Sequence, residues 1–458
     1  MEYLIRFAQT HESFRKPEIE ALAAVTGIKI ELLVYDDASP FCIIKTQDEA
    51  SARALIARSV LTKNVYEVWG QGNTYPELHA DVQRRTKEKW STYMDSSFRF
   101  SVDTYAAKRG PEKKTEIIQS FSYTGFKGQI KMVNPEEEFA VFEEFSLEEA
   151  HAYHRGEISE FPDPKRLYFG RWIAQGGRDI VDKYDLKKRD YISTTSMDAE
   201  LSLVTANMAL AAPGKVFYDP FVGTGSFCVA AAHFGADVMG SDIDGRSYRG
   251  NMSKREKIGL VANLEQYGLK HRYLDAFTSD LTNTPIRDCQ FLDGIICDPP
   301  YGVREGLKVL GSKEGKRKEI AYMDGIPTYT MEGYIAPKKP YSFDAMLDDL
   351  LDFAARTLVE DGRLSFWMPT ANDEAAQLAI PSNPYLEFLS ASVQPFNSWS
   401  RRLLTYRRRA DAEVSQEMED RQRDAPIEGS ADELNTFRRK YFRGFPRVHM
   451  IPDGKITR

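Results

Sequence analysis

The chain has 458 residues, 42% of them apolar and 28% charged, with a formal net charge of −7. That composition excludes a disordered chain and a membrane-embedded one, since no run approaches the ~18 apolar residues a membrane helix needs. Whole-chain charge argues against nucleic-acid binding, but its distribution does not: residues 410–433 hold nine acids and two bases, residues 434–458 seven bases and one acid, and residues 99–131 seven bases and three acids.

The opening MEYLIRFAQTHESFRK has an acid at residue 2 and no apolar core, so no secretory signal is expected. YLIRFA reads as a strand, and KPEIEALAAVTG as a helix with Pro17 near its start and Gly27 at its stop. IKIELLVY and FCIIKT read as strands, and DEASARALIARS as a helix. This β-α-β-β-α-β order over residues 1–85 predicts a ferredoxin-like domain, with helices on one face of an antiparallel sheet. A second unit, residues 86–175, starts with the alternating strand SFRFSVDTYA and runs into a turn-rich basic loop, AKRGPEKK. Lys108, Arg109, Lys113 and Lys114 in that loop are candidate phosphate contacts. Residues 176–190 read as a linker.

The third unit, residues 191–409, opens with a helix over STTSMDAELSLVTANMALAAPGK, capped by Ser196, with Asp198 in its first turn and Gly214 at its end. The strands KVFYD, DVMGSD, HRYLD, LDGIICD, RLSFWMP and RRLLTY then alternate with helices. This pattern predicts an α/β fold with a doubly wound, mostly parallel sheet whose ligands bind at the carboxyl ends of strands. Residues 410–458 form an acidic segment and a basic tail, in which FRRKYFRGFPR interleaves bases with aromatic rings. KEGKRK (313–318) is another basic loop.

Four strand ends carry chemistry. In YDPFVGTGSF a strand ends at Asp219, and Gly223, Thr224, Gly225 and Ser226 lead into a helix. Gly223 and Gly225 let backbone approach a ligand, and the helix start offers free N–H groups. Cys228 stands where a dinucleotide fingerprint wants its third glycine, and no GKS or GKT follows. The loop therefore suits a cofactor with an adenosine and an amino acid but no phosphates, with Asp219 receiving the ammonium. Asp242 ends the next strand and can accept both ribose hydroxyls; Asp275 ends the third and can meet the adenine amine.

The fourth end is CDPPYG. Two prolines fix their φ angles and lack N–H donors, so the turn is stiff and its carbonyls face outward. It presents the Asp298 carboxylate, a carbonyl near Pro299 and the face of Tyr301 to a flat, amine-bearing ring. A base amine is a poor nucleophile because its lone pair conjugates with the ring. Two acceptors on its hydrogens draw the nitrogen toward tetrahedral geometry, and an aromatic face stacks the base. Guanine offers adjacent N1–H and N2–H donors, which match the two oxygens of one carboxylate.

These motifs, DPFVGTGS followed by DPPYG, resemble the S-adenosylmethionine-dependent amino-methyltransferases. With YFGRWIAQGGRD, TTSMDAELSLVTANMAL, MGSDIDGR and SRRLLTY, nearly the whole chain resembles the catalytic subunit of eukaryotic tRNA guanosine-10 N2-methyltransferases. The resemblance implies a ferredoxin-like plus THUMP RNA-binding half, S-adenosylmethionine as cofactor and tRNA as substrate. It also implies a heterodimer with a small zinc-binding activator subunit. It places Asp219, Gly223, Gly225, Asp242 and Asp275 on the cofactor, and Asp298 with Tyr301 on the base. The residue chemistry leaves open a DPPY-type methylation of DNA adenine or protein glutamine, and a catalytically silent tRNA-binding protein. The cysteines Cys42, Cys228, Cys289 and Cys297 form no C-x-x-C pair, so no metal site of this chain is expected. As small core residues they suit a reducing, cytoplasmic compartment.

Overall fold

The structure, a computed structural model, describes residues 1–250, 258–303, 307–311, 320, 322–331, 334, 337–371, 380–396, 399–415, 435, 437 and 441. KEGKRK, the acidic stretch beyond residue 415 and most of the basic tail lie outside the described residues. The chain divides into two compact units, Met1–Asp179 and Ile180–Arg458. Residues 180–190, read above as linker, thus fall in the second unit.

The first unit begins with β1 (Glu2–Phe7), α1 (Arg15–Thr26), β2 (Glu31–Val34), β3 (Phe41–Lys45), α2 (Glu49–Ile56) and β4 (Thr62–Gly72). Gly27, at φ 69, closes α1 in the left-handed conformation that a side chain disfavours. The four strands pair antiparallel in the order β2-β3-β1-β4, which is ferredoxin-like connectivity. Then follow α3 (Tyr75–Thr86), β5 (Phe98–Tyr105), α4 (Pro111–Gln119), β6 (Glu137–Glu144), α5 (Leu147–His154) and β7 (Arg166–Gln175). β7 pairs with β4, so the sheet continues as β4-β7-β6-β5 and all seven strands form one surface. Its aromatic core centres on Trp69, which touches Phe139 and Phe169 edge-on at 4.9 and 6.1 Å between ring centroids.

The AKRGPEKK loop is shorter than expected. Pro111 takes the first position of α4, where its missing N–H breaks no hydrogen bond, so Lys113 and Lys114 sit on a helical turn.

The second unit contains α6 (Ile180–Lys183), α7 (Ala199–Met208), β8 (Val216–Asp219), α8 (Ser226–His233), β9 (Asp237–Asp242), α9 (Gly245–Arg249), α10 (Gly259–Gln266), β10 (Tyr273–Thr278) and β11 (Leu292–Cys297). An insertion carries the short strands β12 (Lys308–Leu310), β13 (Tyr322–Met323), β14 (Ile326–Pro327) and β15 (Lys338–Pro340). α11 (Phe343–Thr357), β16 (Leu358–Ala371), β17 (Leu386–Pro395) and β18 (Trp399–Arg408) complete it. The sheet order is β10-β9-β8-β11-β16-β18-β17. Six of its strands run the same way; β18 alone is reversed, pairing antiparallel with β16 on one side and β17 on the other. The connections leaving β8 go one way to β9 and those of β11 the other way to β16, so the switch point lies between β8 and β11. Ligands on open α/β sheets bind there.

Two local readings change. Asp198, not Ser196, caps α7: its Oδ1 accepts the Leu201 N–H at 2.9 Å, and Ser196 Oγ instead meets Thr224 Oγ1 at 2.7 Å. α7 also ends at Met208 rather than near Gly214. Leu210 takes the left-handed conformation at φ 64, while the N–H groups of Leu210 and Ala211 close back on the carbonyls of Asn207 and Ala206. A non-glycine residue in that role leaves no mark in the sequence. β17, a strand of this sheet that the sequence reading did not anticipate, reads LEFLSASVQP, whose serines blur its alternation.

Candidate active site

The carboxyl ends of β8, β9 and β11 bring three of the four expected aspartates into one electrostatic neighbourhood. Tyr218 pairs with Ile295 across β8 and β11. Asp219 therefore leaves β8 beside the point where Asp298 follows β11. Asp219 is 2% exposed. Burial pushes its carboxyl well above the usual range; the Phe221 N–H opposes this, and the charges of Asp242 and Asp298 add to it. Its one hydrogen bond among the described residues is from that N–H to Oδ1, at 2.9 Å, leaving Oδ2 to meet a ligand. A buried carboxylate with a spare oxygen calls for a cation or a donor.

Asp242 holds the glycine loop itself. Its Oδ2 accepts Gly223 N–H at 3.1 Å and its Oδ1 accepts Asp244 N–H at 2.9 Å. Burial raises its carboxyl, against these two hydrogen bonds. Each oxygen keeps a lone pair for a ribose hydroxyl.

The two glycines have different reasons to be glycine. At Gly223 (φ 47) an added Cβ would meet only Phe221 O, at 3.8 Å, so the space it would fill is open to a ligand. At Gly225 (φ 81) it would fall 1.9 Å from Leu260 Cδ1, so this glycine lets α10 pack against the loop. Gly225 thus has a packing reason to be glycine, and Gly223 has open space beside it.

Thr224 and Ser226 are buried, with their hydroxyls already engaged. Ser226 Oγ accepts from Arg189 Nη1 at 2.9 Å. Tyr191 N–H donates to Asn263 Oδ1, and Asn263 Nδ2 returns bonds to Tyr191 O and Thr224 O. The segment from Arg189 to Ser196 therefore straps the glycine loop, an arrangement that needs contacts 28 to 72 residues apart. Asp275 does not end its strand: β10 runs on to Thr278, which pairs with Asp242, so Asp275 sits three residues short of the edge and is exposed.

At the β11 turn, Tyr301 Oη donates to Asp298 Oδ1 at 2.5 Å, and Arg401 Nη1 lies 3.8 Å from Oδ2. Burial pushes Asp298 up to about 6, against the lowering effects of Tyr301 and Arg401. Pro299 is buried behind it. The Tyr301 ring meets Trp399 edge-on at 6.3 Å, and Trp399 stacks on Phe396 at 4.6 Å. Arg401 lies over Phe396 and Trp367 at 5.6 and 5.1 Å. Sequence reasoning missed Phe396, Trp399 and Arg401. They come from β18 and the turn before it, which only the sheet order brings to β11 across β16.

The basic residues of the first unit separate. Arg109 forms a forked bond to Glu143, whose side chain is fully buried, and lies over Phe145 and Phe161. It is a core ion-pair member. Lys108 and Lys113 are exposed, Lys113 beside Glu116 at 2.7 Å, and Lys114 is half-buried. Cys42, Cys228 and Cys297 are buried as expected, but Cys289 is exposed. No helix among the described residues is long and apolar enough to cross a membrane.

Residues 1–178 match the family model described as the Tmrp11 THUMP N-terminal domain, and residues 187–313 that of the RMKL-like methyltransferase domain. Over 414 residues the chain is 44% identical to the tRNA (guanine(10)-N(2))-methyltransferase of Saccharomyces cerevisiae, covering 88% of this chain and 92% of the yeast one. It is 35% identical over 476 residues to the enzyme of that name from Schizosaccharomyces pombe, covering 96% of each. With the Homo sapiens tRNA (guanine(10)-N(2))-methyltransferase TRMT11 it shares 35% over 457 residues, 96% of this chain and 95% of the human one.

Proposed function

The chain belongs to the tRNA (guanine(10)-N(2))-methyltransferase family, and from that premise we propose how its residues carry out the reaction. It is a tRNA methyltransferase acting on the exocyclic N2 of guanosine 10. The observation that carries the site assignment is the side-by-side exit of Asp219 from β8 and Asp298 from β11.

S-adenosylmethionine fits the first of these ends. The spare Oδ2 of Asp219 suits an ammonium, Asp242 suits ribose hydroxyls, and Gly223 leaves room for close approach. When bound, the cofactor supplies an electrophilic methyl group on its sulfonium. Asp275 remains our candidate for the adenine amine, from its exposed place on β10. Asp298 accepts the N1–H and N2–H of guanine, and the carbonyl near Pro299 takes the second amine hydrogen. Together they keep the N2 lone pair directed at the methyl group. Raised to about 6, Asp298 is also suited to take the proton the amine sheds. The Tyr301 ring and the aromatic group around Trp399 supply faces for a base that has left its stack, a step costing a few kcal/mol.

We propose further that residues 86–175 act as the THUMP RNA-gripping part, with Lys108, Lys113 and Lys114 reaching phosphates. A small zinc-binding activator is the proposed partner. β10, the outer strand of the sheet with Leu274 54% exposed, supports an exposed edge for it to cover. A cytoplasmic location is part of the same reading.

The test incubates the chain, with and without a zinc-binding partner, with bulk tRNA and labelled cofactor, and maps the modified nucleoside. N2-methylguanosine at position 10 is expected. Label appearing in DNA adenine or protein glutamine, and none in tRNA, would overturn the reading.

A further inference from the structure

The turn that presents Asp298 is poor in backbone donors. Pro299 and Pro300 have no N–H, so two of the donors that normally tie a turn together are missing. One brace comes from 134 residues away: Asn435 Nδ2 donates to the Tyr301 carbonyl at 2.8 Å. Asn435 is 3% exposed. Gly302, at φ 69, makes room for it, because a Cβ there would stand 2.9 Å from Asn435 Nδ2 and 3.1 Å from Leu307 Cγ. Two residues on, Phe437 is 9% exposed and lies edge-on to Trp399 at 5.6 Å, on the ring that also meets Tyr301. A side-chain tie from Asn435 thus reaches the turn, and an aromatic contact from Phe437 reaches Trp399 beside it.

We propose that Asn435 is a positioning residue for methyl transfer and that Phe437 closes the aromatic wall of the base pocket, so that these two residues are part of the active site. This rests on the assignment of Asp298 and Tyr301 to the target base. Asn435 fixes the Tyr301 carbonyl, and through it the placement of the Tyr301 ring and the Asp298 carboxylate. A misplacement of about 1 Å at such a position lowers turnover roughly 100-fold without weakening a ligand bound elsewhere. Phe437 acts on the base, so its loss weakens tRNA use rather than cofactor binding.

The experiment compares the full-length chain, with its partner if activity requires one, with Asn435→Leu, Asn435→Ala and Phe437→Ala. Leucine keeps the branched shape of asparagine, at a larger volume, and removes its donor and acceptor together. Cofactor affinity by calorimetry, melting temperature, kcat and KM for tRNA are measured. For both Asn435 variants we expect kcat to fall roughly 10- to 100-fold with cofactor affinity within about twofold of wild type. For Phe437→Ala we expect KM for tRNA to rise while cofactor affinity holds. Wild-type kcat in Asn435→Leu would reduce Asn435 to a space filler and overturn the proposal. So would a parallel loss of cofactor binding and melting temperature in both Asn435 variants, which marks a purely structural role. A wild-type chain that does not methylate tRNA would instead sink the reading of function, so the two failures are distinguishable.

Discussion

Tyr301 Oη donates a 2.5 Å hydrogen bond to Asp298 Oδ1, tying together the two side chains that the double-proline turn offers to a base. On the proposed assignment of Asp298 to the target base, guanine can replace the phenol donor with its own N–H donors, an exchange of like for like that keeps the carboxylate satisfied at each stage. The same bond holds the Asp298 carboxyl lower than burial alone would.

Acid should switch the enzyme off near pH 6. Asp298 offers two acceptor oxygens and can take a proton only when ionised, and its carboxyl is raised to about 6. We expect kcat/KM to level off above about pH 7 and to fall close to tenfold per pH unit well below 6. Tyr301→Phe removes a hydrogen bond that favours the ionised form, so its midpoint should move upward. A flat profile from pH 5 to 8 would contradict the assigned role.

Asp298→Asn should remove activity and add stability. A carboxyl raised in the folded state favours folding when protonated, and that contribution is lost as pH rises through about 6. At pH 7.5 the charged, largely buried group is thus a burden, and asparagine should gain on the order of 1 kcal/mol, a gain that fades below about pH 4. Turnover on tRNA should drop at least about 100-fold, since one acceptor becomes a donor facing N1–H. Retained guanine methylation in Asp298→Asn would refute the two-acceptor argument.

The two loop glycines should fail in different ways. Gly225→Ala drives a Cβ to 1.9 Å from Leu260 Cδ1 at positive φ, and should destabilise the second unit by roughly 2–4 kcal/mol. Shortening Leu260 to alanine in that background should recover part of the folding loss. Gly223→Ala bears only its backbone strain, about 1–2 kcal/mol, while its methyl enters the ligand's space. Calorimetry should show cofactor affinity falling by more than melting temperature suggests. Equal behaviour of the two variants would count against the separation.

Arg109 and its basic neighbours should also part company. Arg109→Ala leaves the buried Glu143 carboxylate with Tyr75 Oη as its remaining partner, and should destabilise the first unit by about 3 kcal/mol. Lys108→Ala and Lys113→Ala should leave melting unchanged within the range of surface substitutions, about 0.5 kcal/mol. If they reach phosphates, each should lower the salt slope of tRNA binding by about one. Unchanged binding at every salt concentration would remove them from the RNA surface.

Native alkylation should label one thiol. Cys289 is exposed, whereas Cys42, Cys228 and Cys297 are buried and their thiols pushed up by burial. Mass spectrometry of the iodoacetamide-treated native chain should find Cys289 modified and the others only after denaturation. Early modification of Cys297 would mean that the floor of β11 is open to solvent.

The sequence by itself determined the elements and the chemistry that depend on near neighbours. The ferredoxin-like order was legible because each strand and helix carries its own period and its own stop, as with Gly27 after α1. Asp219 and Asp298 stood out as strand-end acids because each is followed directly by proline, and Asp242 because it ends the strand after the glycine loop, 19 residues past Gly223. Tertiary structure decided what those residues touch. It gave Gly225 to Leu260, Arg109 to Glu143 and the α7 cap to Asp198, and it carried β10 three residues past Asp275. It also brought Arg401, Trp399 and Asn435 to a turn up to 134 residues distant. Local patterning fixes where a backbone bends and which atoms it exposes, but sheet order selects the neighbours, and that order follows from burying many apolar faces at once rather than from any single stretch of chain.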